Sequence, residues 1–158
     1  EYRSHLYFRA DRNAAPLGLV DENRDTTQLS VSITPIFGIS IPVIVRNGNL
    51  DLGINLTDVN LTSVNDSTYN LAVSINRTGK KSAYGSLEAT YLPNGGKEVV
   101  LGLANGVGVY TELSKRVYNL PLRMRAGAKI QKGKIIVRYL MPRDDGGKEL
   151  ARTEYIIP

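Results

Sequence analysis

The residues that could carry reaction chemistry are few. The 158-residue chain has a single histidine, His5, and no cysteine. A Cys–His nucleophilic pair is therefore excluded by inventory, as are zinc sites built from several histidines or from thiolates. A Ser–His–Asp arrangement would have to use His5. That residue sits in a basic, aromatic run, Tyr2-Arg3-Ser4-His5-Leu6-Tyr7-Phe8-Arg9, and reads as an ordinary strand histidine. Gly79-Lys80-Lys81-Ser82 has the tail of a phosphate-binding loop, but position 74, where the motif needs its first glycine, is Ser. Gly102, Gly106 and Gly108 lack the dinucleotide-binding spacing and read as a loop or bulge.

The acidic groups are no more suggestive. Asp144 and Asp145 are adjacent and would point to opposite sides of a strand, so they read as a hairpin tip and not as a paired acid and base. Asp51, Asp58, Asn60 and Asp66 do not follow the spacing of calcium loops. Asn-x-Ser/Thr sequons at Asn55, Asn60, Asn65 and Asn76 are expected of an Asn- and Thr-rich β protein. Tyrosines with Arg and Lys nearby could stack single-stranded nucleic acid, but their even spread along the chain points to sheet and core positions. The expectation is a protein without enzymatic activity, cofactor, metal or nucleic-acid partner, which works by binding.

The element that stands out is Leu29–Arg46. Its odd positions, from Leu29 to Val45, are all apolar; the even positions through Ser40 are mostly small or hydroxylated. Successive strand side chains point to opposite faces, so the pattern predicts one long strand with a continuous greasy edge. Pro35 and Pro42 cannot donate to a ladder and are expected at an edge, a bulge or an unpaired position, with Gly38 marking a bend. Burying one large aliphatic side chain is worth roughly 1.5–3 kcal/mol, so this edge represents on the order of ten kcal/mol of burial that some other surface must supply. The strand also lacks the charged residues that usually blunt an exposed edge, which predicts self-association through residues 29–45.

Around this strand the chain reads as all-β. Residues 2–9 form a strand, and residues 10–28 read as a long loop. Asn47-Gly48 is a turn and the boundary of a second domain. Segments near 50–62, 67–76, 82–91, 97–103, 116–125, 133–141 and 149–157 then follow, separated by turn residues such as Pro93-Asn94-Gly95-Gly96 and Asp144-Asp145-Gly146-Gly147. Tyr69, Leu71, Val73 and Ile75 share one face, as do Leu87, Ala89 and Tyr91. So do Tyr118, Leu120, Leu122 and Met124, and so do Ile135, Val137, Tyr139 and Met141. Seven strands over roughly 110 residues predict an immunoglobulin-like β-sandwich for 49–158, preceded by the last two strands of a partial immunoglobulin-like domain in 1–46. A helical turn within 103–114 is the one departure the pattern leaves open. The formal net charge of +5 is spread along the chain and reads as surface solubility. No apolar run approaches a membrane span, and no basic start precedes an apolar block. Because the chain opens at Glu1 in what reads as the middle of a structure, a processed or truncated product is expected.

The segment EYRSHLYFRAD, a loop, and then SVSITPIFGISIPVIVR resembles the last two strands of the first domain of periplasmic pilus-assembly chaperones of the chaperone–usher type. The resemblance implies a protein that lends a strand to a pilin-like subunit lacking one of its own. It also implies delivery of that subunit to an outer-membrane usher. By position, the donor residues would be Val31, Ile33, Pro35, Phe37 and Ile39, with the half from Ile39 to Val45 holding the strand to its own domain. The family's late donor-strand lysine falls at or near Pro42 here, a difference in the expected anchoring of the subunit's carboxylate. The alternative is an immunoglobulin-like surface adhesin or pilus subunit. In such a subunit the donor segment should precede everything else, whereas here a strand and a loop come first.

Overall fold

The computed structural model describes residues 1–11, 35–124 and 128–157. The chain divides into two compact units, Tyr2–Arg46 and Asn47–Pro158, with Glu1 grouping with the latter. No α-helix occurs among the described residues, and no helix there is long and apolar enough to cross a membrane.

The smaller unit holds an antiparallel ribbon of β1 (Tyr2–Arg9) and β2 (Gly38–Val45). The single strand expected over Leu29–Arg46 is not observed in that form. Its first part, through Thr34, lies outside the described residues, and Pro35–Phe37 precede the strand without joining it. The start of β2 has a local cause. Arg9, the last residue of β1, pairs with Gly38, and one further bond, Ala10 N–H to Phe37 O at 2.9 Å, ends the ladder. Pro35 has no N–H to extend it.

The larger unit consists of β3 (Leu52–Ser63), β4 (Thr68–Gly79), β5 (Ala83–Pro93), β6 (Val99–Val109), β7 (Lys115–Arg123), β8 (Gly133–Leu140) and β9 (Glu149–Ile157). One antiparallel sheet has the order β3-β4-β7, the other β6-β5-β8-β9. The first, second and fifth strands thus share a sheet and the remaining four form its partner, an immunoglobulin-like β-sandwich. The helical turn left open within 103–114 does not form. β6 is longer than its apolar run and stays paired with β5 out to Ala83↔Val109, because ladder bonds to a neighbouring strand satisfy its backbone.

The core follows the alternation of the strands. Leu71, Val73 and Ile75 of β4, Leu87 and Ala89 of β5, Leu120 and Leu122 of β7, and Ile135, Val137 and Tyr139 of β8 are buried between the two sheets. Met141 falls outside this set, since β8 ends at Leu140. Tyr139 brings a hydroxyl into this apolar layer and donates it to the Val107 carbonyl at 2.6 Å. Burial pushes its phenol up from 10.0 to about 12. Arg77 is also buried. Its guanidinium donates to the carbonyls of Gly79, Lys81, Tyr110, Thr111 and Leu113, and so ties the end of β4 to the β6–β7 connection.

Two irregularities shape the sheet edges. The β3–β4 register shifts between Thr57 and Asn60, and there Asp58 takes a left-handed conformation at φ 52°. Lys115 Nζ lies 2.8 Å from its carboxylate, and that hydrogen bond holds the Asp58 acid below its ordinary range. Pro121 sits in β7, which among the described residues pairs with β4 alone, so its missing N–H faces the side without a ladder.

Candidate functional site

The β1–β2 register determines what the ribbon presents. Tyr2 pairs with Val45, Ser4 with Val43, Leu6 with Ile41 and Phe8 with Ile39. Directly opposed residues of an antiparallel pair share a face. Seven apolar side chains, from Tyr2, Leu6, Phe8, Ile39, Ile41, Val43 and Val45, therefore lie on one side of two strands, interrupted only by Ser4. All but Val43 are exposed, Tyr2 at 77% and Ile39 at 65%. The other face carries Arg3↔Ile44, His5↔Pro42, Tyr7↔Ser40 and Arg9↔Gly38. Its charges are all positive, and neither strand contains an acidic residue. The ribbon is thus greasy on one side and basic on the other.

Local sequence explains this division. β2 is rich in Ile and Val, which fit a pleated surface and resist a helix. In β1 the apolar residues Tyr2, Leu6 and Phe8 hold even positions while Arg3, His5 and Arg9 hold odd ones. Gly38 opens β2 where the Tyr7 ring crosses it: a Cβ built there would lie 2.5 Å from the Tyr7 hydroxyl. A larger residue would push that tyrosine off the basic face.

Among the expected donor residues, Val31 and Ile33 lie outside the described residues. Pro35 and Phe37 are exposed but precede the strand, and Phe37 contributes its carbonyl to the Ala10 bond. Ile39 is in β2, opposite Phe8. The structure thus places Ile39 on the greasy face beside residues that the strand pattern of 29–46 did not single out, namely Tyr2, Leu6 and Phe8. The even-position spacing in β1 was the available signal. It becomes meaningful only once the register with β2 is known.

No group of His, Cys, Asp and Glu among the described residues could hold a metal ion. His5 is exposed on the basic face opposite Pro42. The arrangement offers shape, apolar area and backbone pairing. Comparison of the sequence with family models and with curated proteins returned no match.

Proposed function

We propose that the chain is a pilus-assembly chaperone of the donor-strand type, acting in the periplasm without a catalytic step. The observation that carries the proposal is the amphipathic β1–β2 ribbon, whose greasy face is exposed at every apolar residue but Val43. An exposed strand of this kind can complete another protein's sheet: main-chain pairing supplies affinity and alternate side chains fill pockets. In this reading, the segment from Val31 through Phe37 continues the alternation beyond β2 and is lent to a pilin-like subunit, with Ile39 at the junction. β2 itself, held to β1 from Gly38 to Val45, secures the donor segment to its own unit. An outer-membrane usher would receive the loaded complex.

The test is co-expression with a pilin-like subunit that lacks its final strand. The wild-type chain should keep the subunit soluble and co-purify with it. Replacing both Ile33 and Phe37 by Glu should abolish co-purification while the unit from Asn47 onward stays folded. Continued protection of the subunit by the double variant would overturn the donor-strand reading. Incorporation of the chain itself into a fibre would favour an adhesin or pilus subunit instead.

A further inference from the structure

The larger unit has a second feature, unrelated to the ribbon. On the outward side of the β6-β5-β8-β9 sheet, a cleft of about 700 Å³ opens where the β8–β9 hairpin loop curls over the strands. Tyr84, Ser86 and Glu88 reach it from β5, Leu103 and Asn105 from β6, and Arg143 from the loop. That volume is within the usual range for small-molecule sites.

The backbone around the cleft is irregular in a way that serves it. Gly85 pairs with Val107 and Leu87 with Ala104, so Asn105 and Gly106 together oppose Ser86 alone. This is a β-bulge, a device that re-aims a side chain. Its product is a direct bond: Ser86 Oγ lies 2.8 Å from Asn105 Oδ1. Gly106 takes the left-handed conformation, φ +71°, and a Cβ there would come within 3.1 Å of the Tyr84 hydroxyl. Gly85 has the opposite role, since a Cβ on it would collide with the Leu140 carbonyl. The two glycines bring β8 close on one side and leave room for the Tyr84 ring on the other.

The polar groups are positioned as well. Glu88 Oε1 lies 3.3 Å from Arg138 Nη1. Arg138 also donates to Thr90 Oγ1 at 2.8 Å and approaches Glu98 and Glu149 at 3.3 and 3.5 Å. This partly buried network holds the Glu88 carboxylate at one wall of the cleft. Tyr84, 55% exposed, offers an aromatic face at another. An amide that can donate and accept, a hydroxyl, a fixed carboxylate and an exposed ring match vicinal hydroxyls backed by an apolar C–H face. A phosphate or sulfate is a poorer fit, because among the described residues the cleft lining carries a carboxylate, Glu88, and a single cation, Arg143.

We infer that this cleft is a saccharide-binding site for a mono- or disaccharide unit of a neutral glycan. Tyr84 is the stacking platform, and Ser86, Glu88 and Asn105 are the hydroxyl-binding groups. The site needs no contribution from the ribbon, so it stands or falls apart from the chaperone reading.

The test is amide chemical-shift mapping of the ¹⁵N-labelled full chain. The probes are cellobiose, maltose, lactose and chitobiose, each titrated to millimolar concentration, with inorganic phosphate as a fifth. At least one saccharide should give saturable shifts centred on Tyr84, Ser86, Asn105 and Gly106. Affinity should fall roughly tenfold or more in Tyr84→Ala and separately in Asn105→Ala, about 1.4 kcal/mol or more in binding. Thr62→Ala, on the other sheet, should leave the titration unchanged. Each variant's own amide spectrum reports whether it is folded, and either of the two site variants suffices if the other is not. The inference is overturned if no saccharide shifts these amides, if only phosphate does, or if the shifts persist undiminished in a folded Tyr84→Ala or Asn105→Ala protein.

Discussion

Arg77 Nε donates to the Leu113 carbonyl at 3.0 Å, so a buried cation is neutralised by main-chain dipoles and not by a carboxylate. The same guanidinium serves four further carbonyls, and the Arg77 amide donates to Ser114 O at 2.8 Å. One side chain therefore closes the turn between β6 and β7. Replacing it by Ala would strand several buried carbonyls, each costing about 1–3 kcal/mol if left unsatisfied. Urea unfolding of Arg77→Ala should show a loss of about 3 kcal/mol or more. Arg77→Lys should recover only part of it, because an ammonium lacks the planar fork that reaches both sides of the turn. A loss below about 1 kcal/mol for the Ala variant would contradict this assignment.

Tyr139 gives a pH-dependent prediction. Its phenol ionises near pH 10.0 when unfolded and near 12 when folded, because burial disfavours the phenolate. Between those values the unfolded chain binds fewer protons than the folded one, so stability falls as pH rises. Below pH 10.0 this contribution is fully present. In Tyr139→Phe that alkaline decline should shrink, and the variant should lose about 1–2 kcal/mol at neutral pH from the unpaired Val107 carbonyl. Thermal unfolding of both proteins across the alkaline range measures the two effects together.

Asp58 tests the β3–β4 bulge. A β-branched residue is strained at a left-handed position by roughly 1–2 kcal/mol, whereas glycine accepts it freely. Asp58→Val should therefore destabilise the sandwich by about that amount, and Asp58→Gly by less than about 0.5 kcal/mol even though the exposed pair with Lys115 is lost. Equal losses in the two variants would show that the backbone conformation is not the controlling factor.

The greasy face of the ribbon predicts association of the isolated protein. Sedimentation should show a concentration-dependent dimer or larger species, and Leu6→Glu with Ile41→Glu should return it to monomer, since these two residues oppose each other at the middle of the face. A wild-type chain that sediments as a monomer at every concentration would count against pairing through this ribbon.

Much of the sandwich is legible in the amino-acid sequence. β7 alternates cleanly, and β4 and β8 bury the inward residues the period of two selects through Ile75 and Tyr139, although Ser74 and Ile136 on their other sides are buried as well and Met141 lies past the end of β8. What local pattern could not reveal depended on a partner strand. Arg77 lies in Asn76-Arg77-Thr78-Gly79, which reads as a solvated strand end; its burial is created by the β6–β7 connection more than thirty positions away. The bulge at Asn105-Gly106 exists only relative to Ser86 on β5, so from the sequence the glycines there read as a loop or bulge, with nothing to place it. Likewise, the sequence shows half of the ribbon's greasy face. The β2 side follows from its own alternation, whereas the β1 side depends on the register that aligns Leu6 with Ile41 and Phe8 with Ile39.

The β4–β7 pairing has a kinetic corollary. Thr68 meets Arg123 and Asn76 meets Lys115 across the whole length of β5 and β6, which belong to the opposite sheet. The entropy of closing that long loop must be met before any of those contacts form, which places folding of such a sandwich in the millisecond-to-second range. β5–β6 is a local hairpin and can form on the way, while β7 must find β4, its neighbour in the same sheet, across the intervening chain. Strand order thus sets a clock: during that interval the apolar sides of β4 and β7 are unprotected, and the chain is most open to proteolysis and aggregation before its fifth sandwich strand docks.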